Sequence, residues 1–291
     1  MVKFGRLANK IAKAEAKKGA IAVMQIGSTL RPEGLFYNSD LDVLAIYPKS
    51  LPAGTSRAEY KFDQKNGIEV NIIREPKHRF CTKLAAGNPF EITSIKFGRP
   101  LVGKDVFDSM VVPEPAMPTA IKWMDNAAWH LTGMMTKYPA IPDIYEFYTD
   151  AQKAARSALR AVVLVKRRKL VEADDELMQN LDPDIAEIYS DLIRRRHESE
   201  HYMDMSDVRK VKRITGSRDG ETLLKTEYIV RYGAKEVLSL NIPTVNTVLK
   251  DVIRHGESYG MGVLDLRDRK LTLFLGSKTA SPMRVVSVSL L

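Results

Sequence analysis

The sequence predicts an α+β protein: a small β-sheet with flanking helices, then a helical domain, then a short C-terminal antiparallel β appendage. Three observations predict it. Bounded apolar runs rich in Ile and Val, at 21–26, 43–47 and 67–73, have strand length. From position 119 onward apolar residues recur at three- and four-residue spacing. The end holds three alternating runs, GVLDLR at 262–267, KLTLFLG at 270–276 and RVVSVSLL at 284–291, with a turn at Asp268-Arg269.

At the N-terminal end, Phe4, Leu7, Ile11 and Ala14 make the apolar stripe of a basic helix, in which Lys3, Arg6, Lys10, Lys13, Lys17 and Lys18 face a single acid, Glu15. The run at 21–26 breaks at Gly27-Ser28, and a polar loop with Pro32, Gly34 and Asn38 comes next. Ser39-Asp40-Leu41-Asp42 then opens the second run. Side chains two apart on a strand share a face, so Asp40 and Asp42 project together while Leu41 and Val43 enter a core. Two carboxylates that close repel unless a cation sits between them, and such oxygen ligands suit magnesium. The polar stretch 49–66 reads as a loop or hairpin. In the run after it, Ile68, Val70 and Ile72 alternate on one face and Glu69 lies on the other. Glu59 and Asp63 are the alternative third acids.

A helix is predicted at 77–86, stopped by Gly87-Asn88-Pro89, and 89–107 holds a further helix and a short strand ending in Gly-Lys-Asp. The stretch 111–118 carries three prolines and reads as a linker. It divides the chain into 1–112, a helical domain at 113–256 and the β element at 257–291. Trp123, Trp129, Leu131 and Met135 are read as core of the helix at 119–137. A long helix at 142–170 places Lys153, Arg156 and Arg160 at helical spacing, available to a polyanion if that side meets a cleft. The segment 208–220 reads as basic and then loop-like, and helices are expected at 221–240 and 242–255. His197-Glu198-Ser199-Glu200-His201 matches H-E-x-x-H, but its surroundings are dense in charge and no third histidine comes after it. Intrahelical ion pairing is the reading there.

Composition narrows the function classes. The chain has 291 residues, 44% hydrophobic and 28% charged, as soluble globular proteins do. No apolar run approaches the ~18 residues of a membrane span, and the N-terminal segment lacks the apolar core of a signal peptide. One cysteine, Cys81, read as a small buried apolar residue, excludes an intramolecular disulfide and points to the cytoplasm. A net charge of +9 suits nucleic acid as a partner, and equally a pocket for a polyanionic nucleotide.

The Gly-Ser pair, the loop, Asp-x-Asp on a strand and a later lone acid on a strand together resemble the nucleotidyltransferases of the DNA polymerase β superfamily. The stretch 89–107 is similar to the segment after the third acid in minimal members, and 158–169 looks like the core helix of the helical domain in antibiotic nucleotidyltransferases. The resemblance implies a small mixed β-sheet core. It also implies an NTP held by Gly27 and Ser28 at a helix N-terminus, with Ser39 and Lys153 assisting, and two magnesium ions bound by Asp40, Asp42 and Glu69. The expected reaction moves a nucleoside monophosphate to an acceptor hydroxyl. An RNA 3′ end is the favoured acceptor. A protein, a small molecule, or a catalytically silent binding role are the alternatives.

Overall fold

The computed structural model describes residues 2–30, 40–137, 144–200, 208–240, 259–265, 270–276 and 284–289. It divides into two compact units, Met1–Pro118 and Thr119–Leu291.

The first unit is a five-stranded mixed sheet between two helical layers. Its strands are β1 (Ala22–Ile26), β2 (Leu41–Tyr47), β3 (Ala58–Asp63), β4 (Ile68–Pro76) and β5 (Arg99–Val102), in spatial order β3-β4-β2-β1-β5. β2 and β4 pair in parallel and every other pair is antiparallel. The expected sheet is therefore present, and of the two readings of 49–66 the hairpin holds, with β3 pairing antiparallel to β4 across a turn at 64–67. That strand, β3, lies on the edge. It is exposed on the face of Tyr60 and Phe62 and half-buried at Glu59 and Asp63 on the other, so it shows none of the apolar alternation that marks the others.

Helix α1 (Val2–Lys17) covers one face. Leu7, Ala8, Ile11 and Ala12 pack there on Val23, Leu41, Val43, Ala45, Val70 and Ile72, while Arg6, Lys10, Lys13 and Lys17 stay in water. The stripe is rotated from the expected one: Ala14 is exposed and Glu15 is buried. Glu15 accepts from Arg74 Nε at 2.6 Å, Arg74 Nη2 at 2.7 Å and Tyr47 Oη at 2.8 Å, so a buried ion pair ties α1 to β2 and β4. Glu59 on β3 reaches the same guanidinium at 2.5 Å.

Helices α2 (Lys77–Ala85) and α3 (Pro89–Phe97) bring Phe80, Leu84 and Ile92 into the core. Asn88 caps α3 by accepting from the Phe90 amide, and α4 (Lys104–Asp108) comes directly after β5. Gly103, at φ 63°, begins that helix, and a Cβ there would lie 2.1 Å from the Ile21 carbonyl oxygen.

The second unit is helical, with a three-stranded antiparallel sheet at its end. Helices α5 (Met117–Lys137), α6 (Ile144–Arg167), α7 (Asp174–Gln179), α8 (Pro183–Glu200) and α9 (Val208–Leu238) supply a core that includes Trp123, Met124, Phe147, Leu159, Tyr189 and Ile229. Gly233 on α9 lies so close that a Cβ would be 3.0 Å from Met124 Sδ and 3.1 Å from the Ala158 Cβ. Two expectations are corrected here. Trp129 is 58% exposed rather than core. The segment 208–220 is not a loop: α9 runs unbroken through Gly216 and Gly220. A helical glycine costs only about 1 kcal/mol, less than the buried face from Leu223 to Val237 returns. The strands β6 (Tyr259–Asp265), β7 (Lys270–Gly276) and β8 (Arg284–Ser289) pair in that order, as the alternation predicts. The turn at 268–269, the helix expected at 242–255 and His201 lie outside the described residues. Arg194 does pair with Glu198 one turn on, at 2.7 Å. Among the described residues no helix is long and apolar enough to cross a membrane.

Candidate active site

The sheet register decides which acids share a face. Asp42 stands opposite Ile26 on β1 and opposite Asn71 on β4, and Glu69 stands opposite Phe62 on β3. With Asp40 one residue ahead of β2, alternation puts Asp40, Asp42, Glu69 and Asn71 on the face away from α1. Glu59 and Asp63 pair with Ile72 and Ile68, so they belong to the α1 face. They are also engaged there: Glu59 by Arg74 and Lys61, Asp63 by the Lys65 amide and Asn66 Nδ2.

Asn71 is a residue that the sequence pattern does not single out. Its Nδ2 donates to Asp42 Oδ1 at 3.0 Å, and its own Oδ1 is buried without a hydrogen-bond partner. A strand asparagine abreast of the second aspartate carries no signal in a motif built on acids. Asp40, Glu69 and Asn71 line one cleft of about 270 Å³. Glu69 is exposed and Asp40 and Asp42 are half-buried. The acids share a face and flank a cleft, but they do not form a preassembled cage. Among the described residues, no three His, Cys, Asp or Glu side chains are gathered closely enough to hold a metal ion.

The Gly-Ser turn lies against Asp42. Gly27 has φ 81°, and a Cβ built on it would fall 2.5 Å from Asp42 Oδ2. Only a residue without a side chain brings the backbone that near a carboxylate. A 3₁₀ turn begins at Ser28, Ser28–Leu30, and the residues over which the implied helix would continue lie outside the described residues. Gln25 and Thr29, both buried, pin this turn to β1 through a 2.9 Å hydrogen bond, and Arg99 on β5 donates to the Gln25 side-chain oxygen at 2.6 Å. These three positioning residues are not legible in the sequence, because each reads as an ordinary polar residue.

Ser39 lies outside the described residues. Lys153 stands half-buried on α6 of the second unit. Its helical neighbours are occupied within that unit: Arg156 lies 4.0 Å from Asp174, and Arg160 donates to the Glu172 carbonyl. In the first unit Lys83 binds Glu75 at 2.7 Å and Glu91 at 3.4 Å, and burial pushes the Glu91 carboxyl above its usual range. Cys81 on α2 is half-buried rather than buried.

No family model matches the chain, and no curated protein matches it. Solved structures do. Spectinomycin adenyltransferase AAD(9) from Enterococcus faecialis, crystallised with ATP and spectinomycin, is similar with a TM-score of 0.50 at 12% identity, over 81% of this chain and all of that one. A nucleotidyltransferase-like protein from Exiguobacterium sibiricum 255-15 aligns over 98% of this chain and 99% of its own at 13% identity, with a TM-score of 0.34. With its five-stranded mixed sheet, the chain shares its fold with the spectinomycin adenyltransferase.

Proposed function

We propose that the chain transfers a nucleoside monophosphate from an NTP to an acceptor hydroxyl, releasing pyrophosphate. The observation that carries this reading is the contact between the Gly27 turn and the Asp42 carboxylate, on a sheet face shared with Asp40 and Glu69. That contact sets an acid that would hold magnesium directly beside a turn that would hold the triphosphate.

The donor set fits magnesium. All of its atoms are oxygens, and the orphaned Asn71 Oδ1 adds a neutral oxygen on the same face. Asp40 and Asp42 would hold two ions, and Glu69 would complete the second position. Magnesium, when bound, neutralises the triphosphate and the charge that develops in transfer. The chain's own part is positioning. Asn71 keeps Asp42 turned toward the Gly27 turn. The amides after Gly27 and the Ser28 hydroxyl grip the β and γ phosphates. Glu69 accepts the proton of the acceptor hydroxyl. Ser39 and Lys153 carry their nucleotide-binding assignments from the sequence alone.

Gly27→Ala tests the turn. The added methyl meets Asp42 Oδ2, and the backbone strain at φ 81° costs about 1–3 kcal/mol. The expected result is at least a tenfold loss of Mg-ATP affinity by calorimetry. Unchanged affinity would remove Gly27 from the site.

The favoured acceptor is an RNA 3′ end, on the net charge of +9 and the exposed basic side of α1. A small-molecule acceptor is the second reading, because the similar adenyltransferase was crystallised with spectinomycin. Each labelled NTP is incubated with the protein, magnesium, and either total RNA, total protein or a metabolite pool. Label from one NTP, ATP first, is expected in the RNA. Label in no fraction would leave a catalytically silent binding protein.

A further inference from the structure

The edge strand β3 carries two large rings in water. Tyr60 is 77% exposed and Phe62 is 59% exposed. Being two apart they share a face, and the register pairs Tyr60 with Asn71 and Phe62 with Glu69. Both rings therefore stand on the acid face, and both line the cleft that holds Asp40 and Glu69. An exposed aromatic pair on an unpaired sheet edge is a liability for self-association. The stability of the unit does not explain it.

The order of strands gives the pair a place. Across the acid face run the Gly27 turn at the end of β1, Asp40 and Asp42 at β2, Glu69 and Asn71 on β4, and Tyr60 and Phe62 on β3. Strands lie about 4.8 Å apart, so the rings are roughly 14 Å from β1 and one strand beyond the proposed base. In-line transfer sets the leaving and entering oxygens on opposite sides of the phosphorus. With the triphosphate at the β1 end, the acceptor enters from the β4–β3 end.

Resting on the transferase reading above, we propose that Tyr60 and Phe62 form a stacking ledge for the terminal bases of a single-stranded RNA acceptor. Rings two positions apart on a strand are about 7 Å from each other, which admits one base per ring. Arg57 and Lys65 are exposed just before and just after the strand and supply cations for the phosphodiester backbone, while Lys61, which also lines the cleft, is paired with Glu59 at 3.3 Å. Flat rings flanked by cations suit a nucleobase on a polyanion better than a cationic saturated ring.

Affinity is read directly, without turnover, by fluorescence anisotropy of a 5′-labelled oligoadenylate on the full chain carrying Asp42→Asn. Adding Tyr60→Ala and Phe62→Ala together is expected to weaken binding by at least about 30-fold, since each lost base–aromatic stack weakens it by at least about fivefold. Tyr60→Leu with Phe62→Leu, apolar but not aromatic, is expected to weaken it likewise. Tyr60→Phe with Phe62→Tyr is expected to restore it to within about twofold, which a merely structural role would not distinguish from leucine. Urea midpoints confirm that each variant is folded. Equal affinity in the alanine and parent proteins overturns the proposal, and so does absence of oligoadenylate binding by the parent. Label transfer to spectinomycin that depends on the same rings, with none to RNA, overturns it in favour of a sugar-like acceptor. Failure of the transferase reading shows elsewhere, as absent NTP-dependent pyrophosphate release by the wild-type chain.

Discussion

Asp42→Asn is expected to lower NTP-dependent pyrophosphate release by at least about 10³-fold while leaving the first unit folded. The substitution is nearly isosteric. Asn71 Nδ2 can still donate to the new amide oxygen, so the β2–β4 contact at that register position survives. The negative charge whose second oxygen lies against the Gly27 backbone disappears. Charge neutralisation and positioning are nearly all that a protein contributes to phosphoryl-group transfer. The check is a continuous pyrophosphate assay beside a urea unfolding curve. A rate near wild type with an unchanged midpoint would mean that Asp42 holds no cation the reaction needs.

Arg74→Met is expected to destabilise the first unit by about 3–5 kcal/mol, the penalty for breaking a buried ion pair from one side. Arg74 and Glu15 are each 1% exposed, and the guanidinium is the main partner of both Glu15 oxygens. Without it the carboxylate keeps only Lys18 at 2.9 Å and the Tyr47 hydroxyl. Replacing both partners, Glu15→Leu with Arg74→Met, is expected to recover most of the loss, since well-packed apolar groups often match a buried pair. The pair also sets an acid limb. Burial pushes Glu15 up, but the hydrogen bonds from Arg74, Lys18 and Tyr47 outweigh it and bring the group down from 4.5 to about 2. A carboxyl depressed in the folded state stabilises above its unfolded value. That stability is lost as pH falls from about 4.5 through about 2. Denaturant midpoints measured from pH 6 to pH 2 should fall steeply for the wild type and much less for the double variant. Parallel slopes would show that this carboxyl does not govern acid unfolding.

The contrast between β2 and β3 shows how far the residues alone reach. β2 is buried along nearly its whole length, so its apolar run and its two outward aspartates stand out together. β3 buries almost nothing and is held by its ladder to β4, which leaves no periodic mark. Without β3, the sequence gives no reason to set either ring beside the acids. Glu15 illustrates a different blind spot. It lies four-residue steps beyond Leu7 and Ile11, which places an acid on the apolar stripe, yet its partner lies 59 residues away on β4. Local pattern shows that such a group faces inward, but only the assembled sheet shows what neutralises it. For the proposed site, the acids and the Gly-Ser break are visible because their chemistry is rare in that order. Asn71, Gln25, Thr29 and Arg99 are not, because their roles exist only across strands. In α9 the glycines mislead, since tertiary burial overrides a preference of about 1 kcal/mol each.

The position of β5 bears on how the first unit is born. β1 emerges early in synthesis and carries the five buried residues AVMQI, yet its outer edge is satisfied only when Arg99–Val102 arrives. Until then a growing polypeptide that has already completed β2, β3 and β4 presents an apolar, unpaired backbone at the end where Gly27 turns. Chains that end before Arg99 are therefore expected to self-associate more than chains that extend past Val102. Any shortened version meant to stand alone has to extend past Val102 and the helix that Gly103 starts.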